Sequence, residues 1–246
     1  MARNKTTSQP DRWNPETRFG ANMSFAAAEA YKLLRTNIMF SFPAEGRSCH
    51  VIGVTSTLGS EGKSMTACNL AYSLAEAGKK TLLMDGDLRL PTVAAKLELP
   101  PSPGLSNLLI SDQDHRAVIR PCPTMEEMDV LCAGDLTPNP SELLGSARMA
   151  RLLEALSKSY EYIIIDLPPV TVVTDALVMA KLLHGVIMVV RSGVVEQRAL
   201  ADAMRQLDLV GLRVLGFVYN GSRQEGSKRY YRNYEKYSSG REKKKP

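Results

Sequence analysis

Six short apolar blocks punctuate the chain: HVIGVT (50–55), KTLLMD (80–85), MDVLC (128–132), YIIID (162–166), GVIMVV (185–190) and LRVLGFVYN (212–220). Most are continuously apolar rather than alternating, the pattern of a strand covered on both faces. Between most of them, residues 63–77, 147–159, 174–183 and 196–209 carry helical periodicity. Strand and helix alternating in this way predict an α/β domain, a mainly parallel β-sheet flanked by helices on both faces. A further helix is predicted over 24–40, with Ser24 as its cap and Phe25, Ala28, Tyr31, Leu34 and Ile38 along one face. The stretch from Pro91 to Pro140 is irregular, with short helical pieces, and reads as a surface insertion. There is no internal repeat. The organisation predicted is a flexible N-terminal segment (1–22), one domain (23–220) and a flexible basic tail (221–246).

Composition adds one correction to this picture. The 246 residues carry a formal charge of +5, which would suggest a polyanionic partner. Nine of the 31 basic and three of the 26 acidic residues lie beyond Asn220, so the tail carries +6 and the rest of the chain −1. Basicity therefore belongs to the tail, and no nucleic-acid partner is expected for the domain. Cys49, Cys68, Cys122 and Cys132 show no C-x-x-C spacing and read as reduced thiols of a cytosolic protein. His50, His115 and His184 lack metal-ligand spacing. The polar N-terminus has no signal-peptide core, and the apolar run at Val186–Val190 is far short of the ~20 residues that cross a bilayer.

Candidate chemistry begins directly after the first block. In TSTLGSEGKS (55–64) an apolar strand runs into a loop with Gly59 and Gly62, followed by a helix. Glycines let a backbone curl so that its N–H groups face an anion, and the next helix aims its positive end at the same point. Lys63 would reach terminal phosphates and Ser64 would ligate Mg²⁺, with Gly59, Ser60, Glu61, Gly62 and Met65 completing the cradle. From the tripeptide alone a surface turn that happens to contain Gly-Lys-Ser is the better reading, and Thr57, standing where the usual G-x-x-x-x-G-K-[ST] pattern has glycine, weakens the match further. Two further blocks bear on the choice. LLMDGDLRLP ends a strand with Asp85 and places Asp87 two residues on, on the same side of an extended backbone. YIIIDLPPV ends another with Asp166. Three carboxylates at one sheet edge repel each other, and a divalent cation with Lys63 would offset that. Triphosphate with Mg²⁺ is the natural ligand of such a set.

The loop, LLMDGDLR and IIIDLPP together resemble the Walker A, A′ and B motifs of the bacterial tyrosine kinases, which build kinase activity on a P-loop NTPase scaffold. The resemblance runs from about Glu29 to the C-terminus. It implies ATP and Mg²⁺ as cofactors, with Lys63, Asp85 and Asp87 catalytic, Asp85 activating a tyrosine hydroxyl, and Ser64, Asp87 and Asp166 around the metal. Asn220, which ends the last strand, matches a residue that contacts adenine. Gly59, Ser60 and Glu61 depart from the family's proline-glycine-x, and Leu58 replaces the lysine that the partition and cell-division ATPases carry early in this loop. An ATPase switch of that second kind, without transfer to tyrosine, is the alternative.

The tail holds Tyr230, Tyr231, Tyr234 and Tyr237, four of the nine tyrosines, with no aliphatic residue to pack. Alone it reads as a solvated basic tail or a nucleic-acid tether; beside a P-loop it reads as the phosphoacceptor cluster that the family autophosphorylates. Four phosphates would add about −6 to −8 and reverse its charge. In EAYKLLRTN, Glu29 and Arg35 match the family's E-x-x-R-x-x-R ring-assembly segment, with Lys32 in place of the first arginine. The resemblance thus implies a cytoplasmic protein-tyrosine kinase acting on itself and other proteins, a homo-oligomer, held at the inner membrane face by an adaptor of the polysaccharide co-polymerase type. The process it implies is capsular or extracellular polysaccharide biosynthesis.

Overall fold

The six apolar blocks are six strands of one sheet in the computed structural model, which describes residues 19–43 and 48–221. They are β1 (His50–Ser56), β2 (Thr81–Asp85), β4 (Met125–Leu131), β5 (Tyr162–Asp166), β6 (Gly185–Arg191) and β7 (Val214–Asn220), with a short β3 (Arg120–Cys122) added. The sheet order is β3-β4-β2-β5-β1-β6-β7, and every pairing is parallel except β3 with β4.

Both faces of the central strands are covered, which explains their unbroken apolarity. In β5, Ile163 and Ile165 pack into one core layer and Tyr162 and Ile164 into the other. The first layer is closed by Leu105, Leu109, Met149, Leu153, Ala203 and Leu207 from α4 (Leu105–Ile110), α7 (Ala147–Leu156) and α9 (Gln197–Leu209). Leu70, Ala71 and Leu74 of α2 (Lys63–Glu76) close the second. Behind α2 lies α1 (Phe25–Phe40), its N-terminus capped by the Ser24 hydroxyl, which accepts from Ala27 N–H at 3.3 Å. On the face expected from its periodicity Ile38 is buried, while Phe25, Ala28, Tyr31 and Leu34 are half-buried. The edge strand β7 does alternate, exposing Phe217 and Tyr219. Among the described residues no helix is long and apolar enough to cross a membrane.

Three expectations change. The 91–140 stretch is not merely a surface insertion: it holds α3 (Val93–Lys96), α4, α5 (His115–Val118) and the antiparallel β3–β4 hairpin, and Leu105 and Leu109 are buried. Its short elements carry too few residues to show a period. The helix expected at 174–183 is two pieces, α8 (Asp175–Val178) and a 3-10 turn at Ala180–Leu182, because Leu183 is already extended to enter β6. The segment expected to be flexible up to residue 22 is packed from Phe19 onward: Phe19 meets Tyr72 edge to face at 5.5 Å, and Gly20 N–H donates to Asn69 Oδ1 at 3.2 Å. Residues 1–18 and the tail beyond Gly221 lie outside the described residues.

Gly20 tests that packing, since its φ is +59° and a Cβ there would stand 2.8 Å from the Tyr72 ring. Gly20→Ala is expected to cost about 1–2 kcal/mol in urea unfolding. A cost near zero would detach the segment from the domain.

Candidate functional site

The loop between β1 and α2 is curled by two left-handed residues, and they are not the two glycines that the sequence suggests. Gly62 has φ +95° and Ser60 has φ +64°, whereas Gly59 faces open space with no positive φ. A Cβ at Gly62 would also fall 2.0 Å from Asn220 Nδ2, so a side chain there would have to displace the Asn220 amide. The curl turns a run of backbone donors outward. Among the described residues, the N–H groups from Ser60 to Met65 have no acceptor, the first intrahelical bond being Thr66 N–H to Gly62 C=O at 2.9 Å. Six successive unpaired donors at the start of a 14-residue helix form an anion-binding nest.

The strand register brings the carboxylates beside this nest. Asp85 and Asp166 are direct partners on adjacent strands, and Asp166 is also paired with Val54 of β1. Lys63 Nζ lies 2.8 Å from Asp87 Oδ2 and 3.3 Å from Asp166 Oδ1, and all three side chains are nearly buried. Ser64 Oγ accepts from Lys63 Nζ at 3.4 Å. Burial opposes the charge of Lys63, but Asp166 and Asp87 outweigh it, so its pKa is raised and it stays an ammonium. One ammonium among three carboxylates leaves an excess of negative charge. Burial first, then Asp166, pushes Asp85 up to about 7, and burial also raises Asp166 against the pull of Lys63. Asp166 Oδ2 is buried with no hydrogen-bond partner. That orphaned oxygen and the charge excess fit a divalent cation. No three His, Cys, Asp or Glu among the described residues form a metal cage, so phosphate and water would supply the remaining ligands, as Mg²⁺ prefers.

Other expected residues have specific places. Asp85 is wholly buried and accepts from Asp87 N–H at 3.2 Å, Thr92 N–H at 3.1 Å and Val93 N–H at 3.0 Å. It organises the turn that carries Asp87, whose Oδ1 accepts from Leu90 N–H at 3.0 Å. Asn220 reaches the loop, its amide donating to Glu61 C=O at 2.9 Å. Glu61 is buried, its side chain engaged with Leu58 and Arg191. Met65 is half-buried, its sulfur taking the Asn69 amide at 2.9 Å. Away from the site, Lys32 pairs with Glu29 at 3.0 Å, while Arg35 turns inward to Ser73 C=O of α2 at 2.7 Å. Tyr230, Tyr231, Tyr234 and Tyr237 lie outside the described residues.

Two contributors escaped the sequence reading. Arg191 Nη1 donates to Ser60 C=O at 2.9 Å. Arg89 forks onto the buried Asp175 at 2.9 and 3.0 Å and onto Ser141 at 2.9 Å, tying the Asp87 turn to α8 and to α6 (Pro140–Leu144). Arg191 ends an apolar strand, the same signal that marked Asp166. Asp175 sat unmarked inside a helical period.

Lys63→Met removes the only cation within this buried set. Acids held above their unfolded pKa keep protons longer in the folded state, so stability falls as pH rises from about 4 to about 7 or beyond. Lys63→Met should steepen that fall: urea unfolding should show a smaller loss at pH 5 than at pH 8. Equal losses at both would mean that Lys63 does not hold these carboxylates.

The fold and the site have clear relatives. A family model described as ParA, the NUBPL iron-transfer P-loop NTPase, matches residues 47–244. The protein named putative tyrosine-protein kinase CapB of Staphylococcus aureus is 36% identical over 207 residues, covering 84% of this chain and 90% of that one. The crystal structure of the chimerical protein CapA2B2 superposes with a TM-score of 0.77 at 35% identity, covering 85% of this chain and 90% of that one. The kinase domain of the Escherichia coli tyrosine kinase ETK does so with 0.79 at 28% identity, covering 91% and 87%. On these grounds the chain belongs to the bacterial tyrosine-protein kinases, enzymes built on the ParA-type P-loop NTPase fold.

Proposed function

We propose that this chain transfers the γ-phosphoryl group of ATP, in the presence of Mg²⁺, to tyrosine hydroxyls, first those of its own tail. The observation that carries the reading is the run of unpaired N–H groups from Ser60 to Met65, ending beside Lys63 and the paired Asp85 and Asp166. The nest would take the phosphates of the nucleotide through its backbone, including the N–H groups of Glu61 and Met65. Asn220, whose amide donates to the Glu61 carbonyl, would contact the base. Ser64, Asp87 and Asp166 would hold Mg²⁺, which supplies neutralising charge to the phosphates when bound.

The chemistry assigned to the chain's own residues balances simply. A tyrosine oxygen forms a bond to the γ-phosphorus as the bond to the β–γ bridging oxygen breaks, and ADP leaves. Lys63 exchanges its carboxylate partners for phosphate oxygens and stabilises the charge that shifts onto them. A phenol of pKa about 10 needs a base. Asp85, poised near 7, suits that role once the turn of residues 87–93 releases one of its oxygens.

The acceptor is the cluster Tyr230, Tyr231, Tyr234 and Tyr237, and transfer runs between subunits assembled through the face of Glu29, Lys32 and Arg35. Because Arg35 is held by Ser73 within one copy, assembly would draw mainly on Glu29 and Lys32 unless that bond is exchanged. From family membership we infer a role in capsular or extracellular polysaccharide biosynthesis, with a membrane adaptor of the polysaccharide co-polymerase type. The adaptor would recruit the kinase to the inner face of the membrane, and further tyrosine proteins would be substrates.

Incubation with labelled ATP and Mg²⁺ tests the reading. Lys63→Met should lower tail labelling by about 100-fold or more. Unchanged labelling would remove Lys63 from the chemistry. Replacing the four tail tyrosines with Phe should abolish most self-labelling while an added tyrosine peptide is still phosphorylated. Full labelling of the four-Phe protein would place the acceptor elsewhere. Fractional labelling of the unaltered chain should slow on dilution; a rate independent of concentration would mean transfer within one chain.

A further inference from the structure

A carboxylate within a phosphate-binding loop is electrostatically adverse, yet Glu61 occupies the middle of this one and is fully buried. Its oxygens do not face the nest. Oε1 accepts from Leu58 N–H at the start of the loop, and Oε2 accepts from Arg191 N–H at the end of β6, at 3.1 Å. Around it, Arg191 Nη1 holds Ser60 C=O at 2.9 Å and Asn220 holds the carbonyl of Glu61 itself at 2.9 Å. The residue clamped between these contacts is Ser60, whose left-handed φ of +64° is disfavoured for a side chain other than glycine. Left to itself Ser60 would prefer negative φ, and the N–H groups of residues 60 and 61 would rotate out of the nest. Surroundings that over-determine a strained residue are what keep it in place.

We propose that Glu61 is a positioning residue: its buried carboxylate, tied to the N–H groups of Leu58 and Arg191, holds Ser60 in the left-handed conformation that aims the loop's donors at a phosphate. The inference rests on the nucleotide reading above and adds the device that makes the loop work without a glycine at position 60. Glu61 thus contributes to phosphate binding through its backbone, while its side chain acts on the loop from beneath. Arg191 supports it from the strand end, and the two act on the same residue.

The coupling between positions 60 and 61 is the test. Glu61→Gln keeps one acceptor oxygen but turns an amide donor toward the other N–H, so one tie is lost. Calorimetric titration of the folded full chain with Mg-ADP should show about tenfold weaker binding for Glu61→Gln. Ser60→Gly keeps the backbone donor and adopts either sign of φ freely, so it is the reference against which the double variant is read. The double variant should recover to within about threefold of Ser60→Gly, a non-additivity that a general loss of stability would not produce. If Glu61→Gln fails to fold, Arg191→Met takes its place, because that exposed side chain gives up only its bond to Ser60. It should lose a few-fold in affinity and be rescued by the same glycine. Unchanged affinity in Glu61→Gln, or a double variant no better than the single one, overturns the inference and leaves the nucleotide reading intact. Unaltered protein that binds no Mg-ADP overturns both.

Discussion

The structure turns on the placement of one buried ammonium among three buried carboxylates. Lys63 lies within 3.3 Å of Asp87 and Asp166, and Asp166 is the register partner of Asp85. Parallel strands create this arrangement. Their carboxyl ends all emerge on one edge, so β2, β5 and β1, which are neighbours in the sheet order, deliver their last residues to the same place. Burial makes the charge imbalance costly, and burial first, then Asp166, pushes Asp85 up to about 7. A site with negative charge in excess and an unpartnered carboxylate oxygen accommodates a cation.

Beside that acidic pocket stands a loop with the opposite demand. Its unpaired N–H groups attract an anion, and the positive end of α2 reinforces them. The two halves together match a phosphate chain with its metal. Each half is held by contacts within the chain. Asp85 caps the turn that bears Asp87, Arg89 anchors that turn to Asp175, and Glu61 with Arg191 fixes the loop. Preorganisation of this sort moves the cost of orienting dipoles from the reaction to folding.

Family membership places the chain among tyrosine kinases, and the same physics explains why a distant branch of ATPases shares the scaffold. The phosphate site is made from backbone and strand ends, which survive wide sequence change. What receives the phosphoryl group depends on chain segments outside that scaffold. For that role we propose the tail beyond Asn220, which carries a charge of +6 and four tyrosines.

Much of this was legible in the residues themselves. Unbroken apolarity is a local property, and it marked β1, β2, β5 and β6 as central strands. A lysine and serine after glycine, and aspartates that end such strands, are local too, so Lys63, Ser64, Asp85, Asp87 and Asp166 could be named before any fold was known. The tertiary structure decided what depends on contacts between distant parts of the chain. β3 is too short to show a pattern and exists because β4 offers it an edge. Phe19 and Gly20 are ordered because Tyr72 and Asn69 lie beneath them. Gly59 was expected to curl the loop, and Ser60 does so instead, because Glu61 meets Arg191 across 130 residues of sequence. Local pattern determines which elements form and which charges end them; only packing across the sheet determines which of those charges face a ligand and which hold the others in position.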